Sequence, residues 1–151
     1  TPTVLGLASG AIAGLAMVTP GAGYVEPLSA FLMGMAAGIL SYVAIMKKAR
    51  FGYDDSLHVV GIHGVAGIGG ILLTGLLATK AVNAGGVDGL LHGNAGFFAV
   101  QGLTVIVVGL FSAGGTWAIL KIVDRAVGLR VPAEEERMGL DISQHNERAY
   151  S

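Results

Sequence analysis

The sequence predicts an all-α integral membrane protein with four transmembrane helices. Three observations predict it. The first is composition: 53% of residues are hydrophobic and 13% are charged, against roughly 25% charged in a soluble domain. The second is where charge is missing. No Asp, Glu, Lys or Arg occurs from Thr1 to Val25, Leu28 to Met46, Ser56 to Thr79 or Gly89 to Leu120, and a bilayer-spanning helix needs roughly 20 apolar residues. The third is where basic residues gather. Lys47, Lys48 and Arg50 lie between the second and third runs, and Arg125, Arg130, Arg137 and Arg148 follow the fourth. An even number of crossings separates the two groups, so they share one side, and the positive-inside rule makes it cytoplasmic.

Each span has its own boundary signals. The first, residues 4–18, stops at the breaker cluster Thr19-Pro20-Gly21. The second, 27–46, stops at Lys47, Lys48 and Arg50. The third, 55–78, starts at Asp54-Asp55-Ser56, residues suited to accept the free N–H groups of a helix start. A glycine-rich connection, 83–89, leads to the fourth, 91–123, which is long for one crossing and predicts tilt, a kink or an extension into water. Residues 126–151 are a polar tail, with a short helix expected after Pro132. The connections 19–26 and 80–88 then face outward.

Several classes are excluded. Without cysteine there are no disulfides, thiolate metal sites or cysteine nucleophiles. A net charge of −1, with no basic stripe, gives no footprint for nucleic acid. The chain opens on Thr1-Pro2 and is apolar from Val4, with neither a charged leader nor a cleavage motif. It therefore reads as an interior point of a longer polypeptide. Small residues recur every four positions at Gly6, Gly10 and Gly14 and at Ala30, Gly34 and Gly38, and Gly64, Gly67, Gly69 and Gly70 crowd the third span. In lipid such residues let helix backbones approach closely, which is the expected use of most of the glycines.

His63 lies eight residues into the third span, near mid-bilayer at ~1.5 Å rise per residue. An ionisable group there faces a pore or a partner helix. His58 does not pair with it as a metal site, because five residues at ~100° each put the two rings about 140° apart. Asp54 and Asp55, at spacings of four and three from His58, predict a structural carboxylate–imidazole pair. His92 and His145 read as interfacial or solvated, Glu26 as solvated, and Asn94 and Gln101 as bonding a neighbouring helix. Tyr42 and Trp117 suit the interface.

The run Gly52-Tyr53-Asp54-Asp55-Ser56-Leu57-His58-Val59-Val60-Gly61-Ile62-His63-Gly64-Val65-Ala66-Gly67-Ile68-Gly69-Gly70 resembles the ammonium transporter (Amt/Mep/Rh) family, in which a paired aspartate is followed, eight residues after the second, by His-Gly and a glycine-rich run. Ala8-Ser9-Gly10-Ala11-Ile12-Ala13-Gly14-Leu15, Val18-Thr19-Pro20-Gly21-Ala22-Gly23-Tyr24, Val127-Gly128-Leu129-Arg130-Val131-Pro132 and Gly139-Leu140-Asp141 are also similar to it, and together these segments cover most of the chain in order. The resemblance implies an eleven-helix, inverted-repeat channel fold forming homotrimers in the bilayer, with this chain as helices eight to eleven plus the tail. The missing amino-terminal half is then a partner. His63 matches the second of two pore histidines, the first belonging to helix five, and Thr19 resembles a residue near the outer vestibule. Asp54, Asp55 and His58 fall near the pore as structural residues; the family commonly has aspartate where His58 stands. The implied substrate is ammonium or ammonia, with no enzymatic reaction, no cofactor and no metal. The implied location is a bacterial inner membrane. Arg130, Pro132, Gly139 and Asp141 mark a cytoplasmic regulatory tail that docks on the inner face and meets a PII-type signalling protein. A sensor of the same fold and a purely structural membrane segment are the alternatives.

Overall fold

The computed structural model describes residues 3–148. Its described residues form helices and connections, with no strand. Two compact units divide the chain, Thr1–Val107 and Val108–Ser151.

In the first unit, helix α1 (Val4–Val18) starts where Thr3 Oγ1 accepts the Gly6 N–H at 3.0 Å. It runs into a 3₁₀ turn, Thr19–Gly21. Helix α2 (Pro27–Phe51) has proline at its first position, where no N–H is required. It ends on Gly52, whose left-handed backbone (φ 68) closes the helix with a bond from its N–H to Lys48 O. The basic cluster expected to stop this span lies inside the last turns of α2, with Lys48 and Arg50 in the final one. Charge ends the apolar run but not the helix, because cations complement the carbonyl end.

The third span departs further from expectation. Asp55 to His58 are not helical. The Asp55 carboxylate instead accepts the N–H groups of Val59 (2.8 Å) and Val60 (3.0 Å) from outside, so the helix begins about four residues later than the acidic pair suggests. Its first full turn, Val60–Val65, is π-helical, and it continues as helix α3 (Ala66–Leu77). A connection then passes through a 3₁₀ turn, Leu90–His92, to helix α4 (Ala95–Ala126). Asn94 accepts the Phe97 N–H at 3.0 Å, so it caps α4 and does not bridge to another helix. Among the described residues four helices are long and apolar enough to cross a membrane: Val4–Gly21, Pro27–Phe51, Val60–Leu77 and Ala95–Ala126.

The core is small: Ala13 and Met17 of α1, Val25 of the connection after it, Met33 and Ala37 of α2, and Ile62 and Ala66 of the third span. Close approach is concentrated on the third span. A Cβ on Gly70 would collide with the Met17 carbonyl, and one on Gly69 would lie 2.7 Å from Met17 Cε. A Cβ on Gly61 would lie 2.8 Å from Ile45 Cγ1. The expected α1 and α2 stripes meet at one point, where a Cβ on Gly14 would lie 3.8 Å from Gly34 O, while a Cβ on Gly10, Gly34 or Gly38 would meet nothing within 4 Å among the described residues.

In the second unit, the end of α4 leads to helix α5 (Ala133–Met138), which starts after Pro132, and helix α6 (Leu140–Ser143). Ser143 Oγ donates to Gly139 O at 2.9 Å, and Gln144 Nε2 donates to Glu135 Oε2 at 2.8 Å. The tail therefore carries defined structure of its own.

Candidate functional site

His63 sits inside the π turn, and the neighbours that hold the turn are legible residue by residue. Gly61 and Ile62 are buried, whereas His63 is exposed. Gly61 lets the turn approach α2 at Ser41 and Ile45, where a side chain would not fit. Among the described residues no side chain bonds the His63 imidazole, so both ring nitrogens are open to a ligand or a further chain segment. A π turn inserts one residue into the helical register and is frequent at functional sites. Here it carries His63, which lies in the first turn of the span Val60–Leu77 and not eight residues in, because the helix begins later than the acidic pair suggests.

The connection before the turn is held by Lys48. Its Nζ donates to Asp55 O (2.6 Å) and meets His58 Nδ1 (2.9 Å). An ammonium has no lone pair, so in this contact Lys48 donates and Nδ1 accepts, which requires a ring with no proton on Nδ1. The carboxylate–imidazole pair expected from spacing is thus replaced: both Asp55 oxygens serve backbone N–H groups, and His58 turns to a lysine of α2. The reason is local backbone. His58 is left-handed (φ 57), which breaks the helical spacing that the pairing assumed. That conformation costs roughly 1–2 kcal/mol for most residues, and His, Asn and Asp tolerate it best. Asp54 accepts from Ser56 Oγ at 3.4 Å.

Thr19 is exposed at the end of α1, and its hydroxyl donates to Leu15 O at 2.6 Å. Its oxygen keeps acceptor capacity for an N–H donor. At the same end of these helices, Pro20, Tyr24, Thr74, Phe97 and Gln101 help to line a hollow of about 320 Å³. No local pattern marks this hollow, since its walls come from four separate segments, Gly85 to Val87 among them. At the other end, Ser9, Ser41, Tyr42 and His58 border a hollow of about 250 Å³ between α1 and α2.

Of the tail residues, Arg130 lines a hollow of about 200 Å³ with Leu129, Val131, Glu136 and Leu140. Pro132 precedes α5, and its carbonyl accepts the Glu136 N–H. Gly139 takes φ 99 between α5 and α6, where a Cβ would lie 2.6 Å from Asp141 Oδ1. Asp141 O accepts the Glu147 N–H at 2.8 Å. Among the described residues no group of three or more His, Asp or Glu side chains could hold a metal ion.

Comparison with known proteins gives this arrangement its context. The profile of the Ammonium Transporter Family matches residues 1–150. The chain is 42% identical over 150 residues to an ammonium transporter of Bacillus subtilis, covering 99% of this chain and 37% of the relative. It is 46% identical over 151 residues to an ammonium transporter of Aquifex aeolicus, covering 99% and 35%. It is 43% identical over 150 residues to ammonium transporter Amt1 of Archaeoglobus fulgidus, covering 99% and 38%. The chain thus spans little more than a third of the length of these relatives. With the family profile matched almost end to end and the histidine-bearing span in place, the chain belongs to the ammonium transporter family.

Proposed function

We propose that this chain is part of an ammonium channel or transporter and that His63 lies on the conduction pathway. The observation that carries the reading is the exposed imidazole in a π turn of a membrane-spanning helix, in a chain of this family. Ammonium is costly to strip of water, and a narrow apolar passage opposes its entry. An imidazole can exchange hydrogen bonds with ammonium or ammonia along that passage. Deprotonation lets neutral ammonia cross, with the proton lost or carried separately. Potassium has no proton to give up and stays excluded.

The other residues take supporting parts. Thr19 receives an N–H near the outer mouth. Asp54, Asp55 and His58 shape the entry to the third span. The remaining part of the pathway, including a second histidine, comes from an amino-terminal half of the same protein, and the assembly is a homotrimer in a bacterial inner membrane. The tail, with Arg130, Pro132, Gly139 and Asp141, is cytoplasmic and regulatory, and it meets a PII-type protein; its own hydrogen bonds support an ordered docking element. Proteoliposomes test the reading. The complete polypeptide is expected to give an ammonium-dependent pH change or current, and residues 1–151 alone are expected to give none. Selective flux through the segment alone would refute the shared pathway, and no flux through the complete protein would refute transport.

A further inference from the structure

The contacts of Lys48 carry an inference about how the π turn is held. Three links run in series. Lys48 Nζ fixes the Asp55 carbonyl (2.6 Å) and the His58 ring (2.9 Å). The Asp55 carboxylate then fixes the first two amides of the span, at Val59 and Val60. The His58 carbonyl accepts the Ile62 N–H at 2.8 Å, inside the π turn itself. Lys48 is partly buried, unlike its neighbours Lys47 and Arg50, which are exposed. It is the one cation of the α2 terminus drawn into the fold.

We propose that Lys48 and His58 form a positioning clamp that sets the π turn carrying His63, and that the clamp holds only while the His58 ring is neutral. The chemistry is direct. Nδ1 can accept from an ammonium only when it carries no proton. A doubly protonated imidazole has no acceptor and repels Lys48. Protonation on this side of the protein therefore releases one of the two anchors on the connection. The polar groups around the ring are hydroxyls, one lysine and the two carboxylates of the connection. From α2 come Lys48, Tyr42 and Ser41, whose buried hydroxyl has no hydrogen-bond partner among the described residues, and from α1 the neighbouring polar side chains are Thr3 and Ser9; Ser41, Thr3 and Ser9 do not titrate. The carboxylates of the connection are Asp54, which accepts from Ser56, and Asp55, whose two oxygens are committed to Val59 and Val60. The functional consequence, a pathway that responds to pH on the Lys48 side, rests on the reading of His63 given above. The clamp itself does not.

The test is amide exchange at Val59 and Val60 in the complete protein, with protection corrected for intrinsic rates, at about pH 8 and about pH 5.5, either side of the ordinary imidazole range. Protection in the wild type is expected to fall about tenfold on acidification, the scale of losing a hydrogen bond to a charged group. His58→Asn places an amide oxygen close to where Nδ1 stands, tolerates the left-handed backbone and does not titrate, so its protection is expected to stay flat with pH. Lys48→Met is expected to be low at both pH values. Protection that is independent of pH in the wild type, or that falls equally in His58→Asn, overturns the clamp. Protection that follows the prediction while His63→Ala conducts like wild type supports the clamp and defeats the pathway reading of His63.

Discussion

The third span and α4 are almost equally apolar and are used in opposite ways. Val60–Leu77 has Gly61, Ile62, Ala66, Gly70, Thr74 and Gly75 buried, whereas Ala95–Ala126 has no buried residue at all. Both are rich in glycine. On the third span glycine is where another helix arrives: Met17 over Gly69 and Gly70, Ile45 over Gly61, and Gln101 over Gly75. On α4, Gly102, Gly109, Gly114 and Gly115 have nothing within 4 Å of a Cβ. Apolarity places a helix in lipid, but it does not choose its neighbours, because lipid is as apolar as a leucine side chain. Close contact is decided by where the backbone is bare and a partner's shape matches it.

Two substitutions probe that difference from opposite ends. Gly70→Leu should have the larger effect. Its Cβ falls on the Met17 carbonyl, which is backbone and cannot rotate away, so α1 and the third span must separate. A loss of about 3 kcal/mol is expected, at the upper end of overpacking costs, read as a lowered thermal unfolding midpoint in detergent. Gly114→Ala should have the smaller effect, and in the other direction. The added methyl meets nothing among the described residues and removes backbone freedom, for a gain of roughly 0.5–1 kcal/mol. A marked loss at Gly114 in the complete protein would break the comparison, because it would place another helix against that face of α4.

The same contrast explains what was legible in the sequence. The four spans were readable because long charge-free runs follow from composition alone. His63 was readable as the ionisable group inside the third span, but its depth was not: the span begins at Val60, so His63 lies in its first turn and not eight residues in. The glycine pattern was readable only in part. Gly69 and Gly70 lie where Met17 arrives, and Gly14 of α1 lies against the Gly34 backbone of α2, while a Cβ on Gly10 or Gly38 would meet nothing within 4 Å among the described residues; spacing records a capacity for contact and not the arrival of a partner. The entry to the third span was misjudged for a sharper reason. Asp54 and Asp55 suit a helix start, but the helix begins at the amides that Asp55 reaches across a left-handed His58. That turn made the spacing argument for a carboxylate–imidazole pair inapplicable. Lys48, ten residues before His58 and on α2 while His58 lies in the connection, could not be linked to it by any local period. Nor does a π turn leave a periodic mark, since it amounts to a single inserted residue.

The central claim, that His63 lies on the ammonium pathway, is tested most directly by ammonium flux and ammonium-over-potassium selectivity in the complete protein with His63→Ala. The account predicts flux reduced about tenfold or more, equivalent to a barrier raised by about 1.4 kcal/mol, or selectivity lost where flux persists. Flux and selectivity both equal to wild type would contradict it.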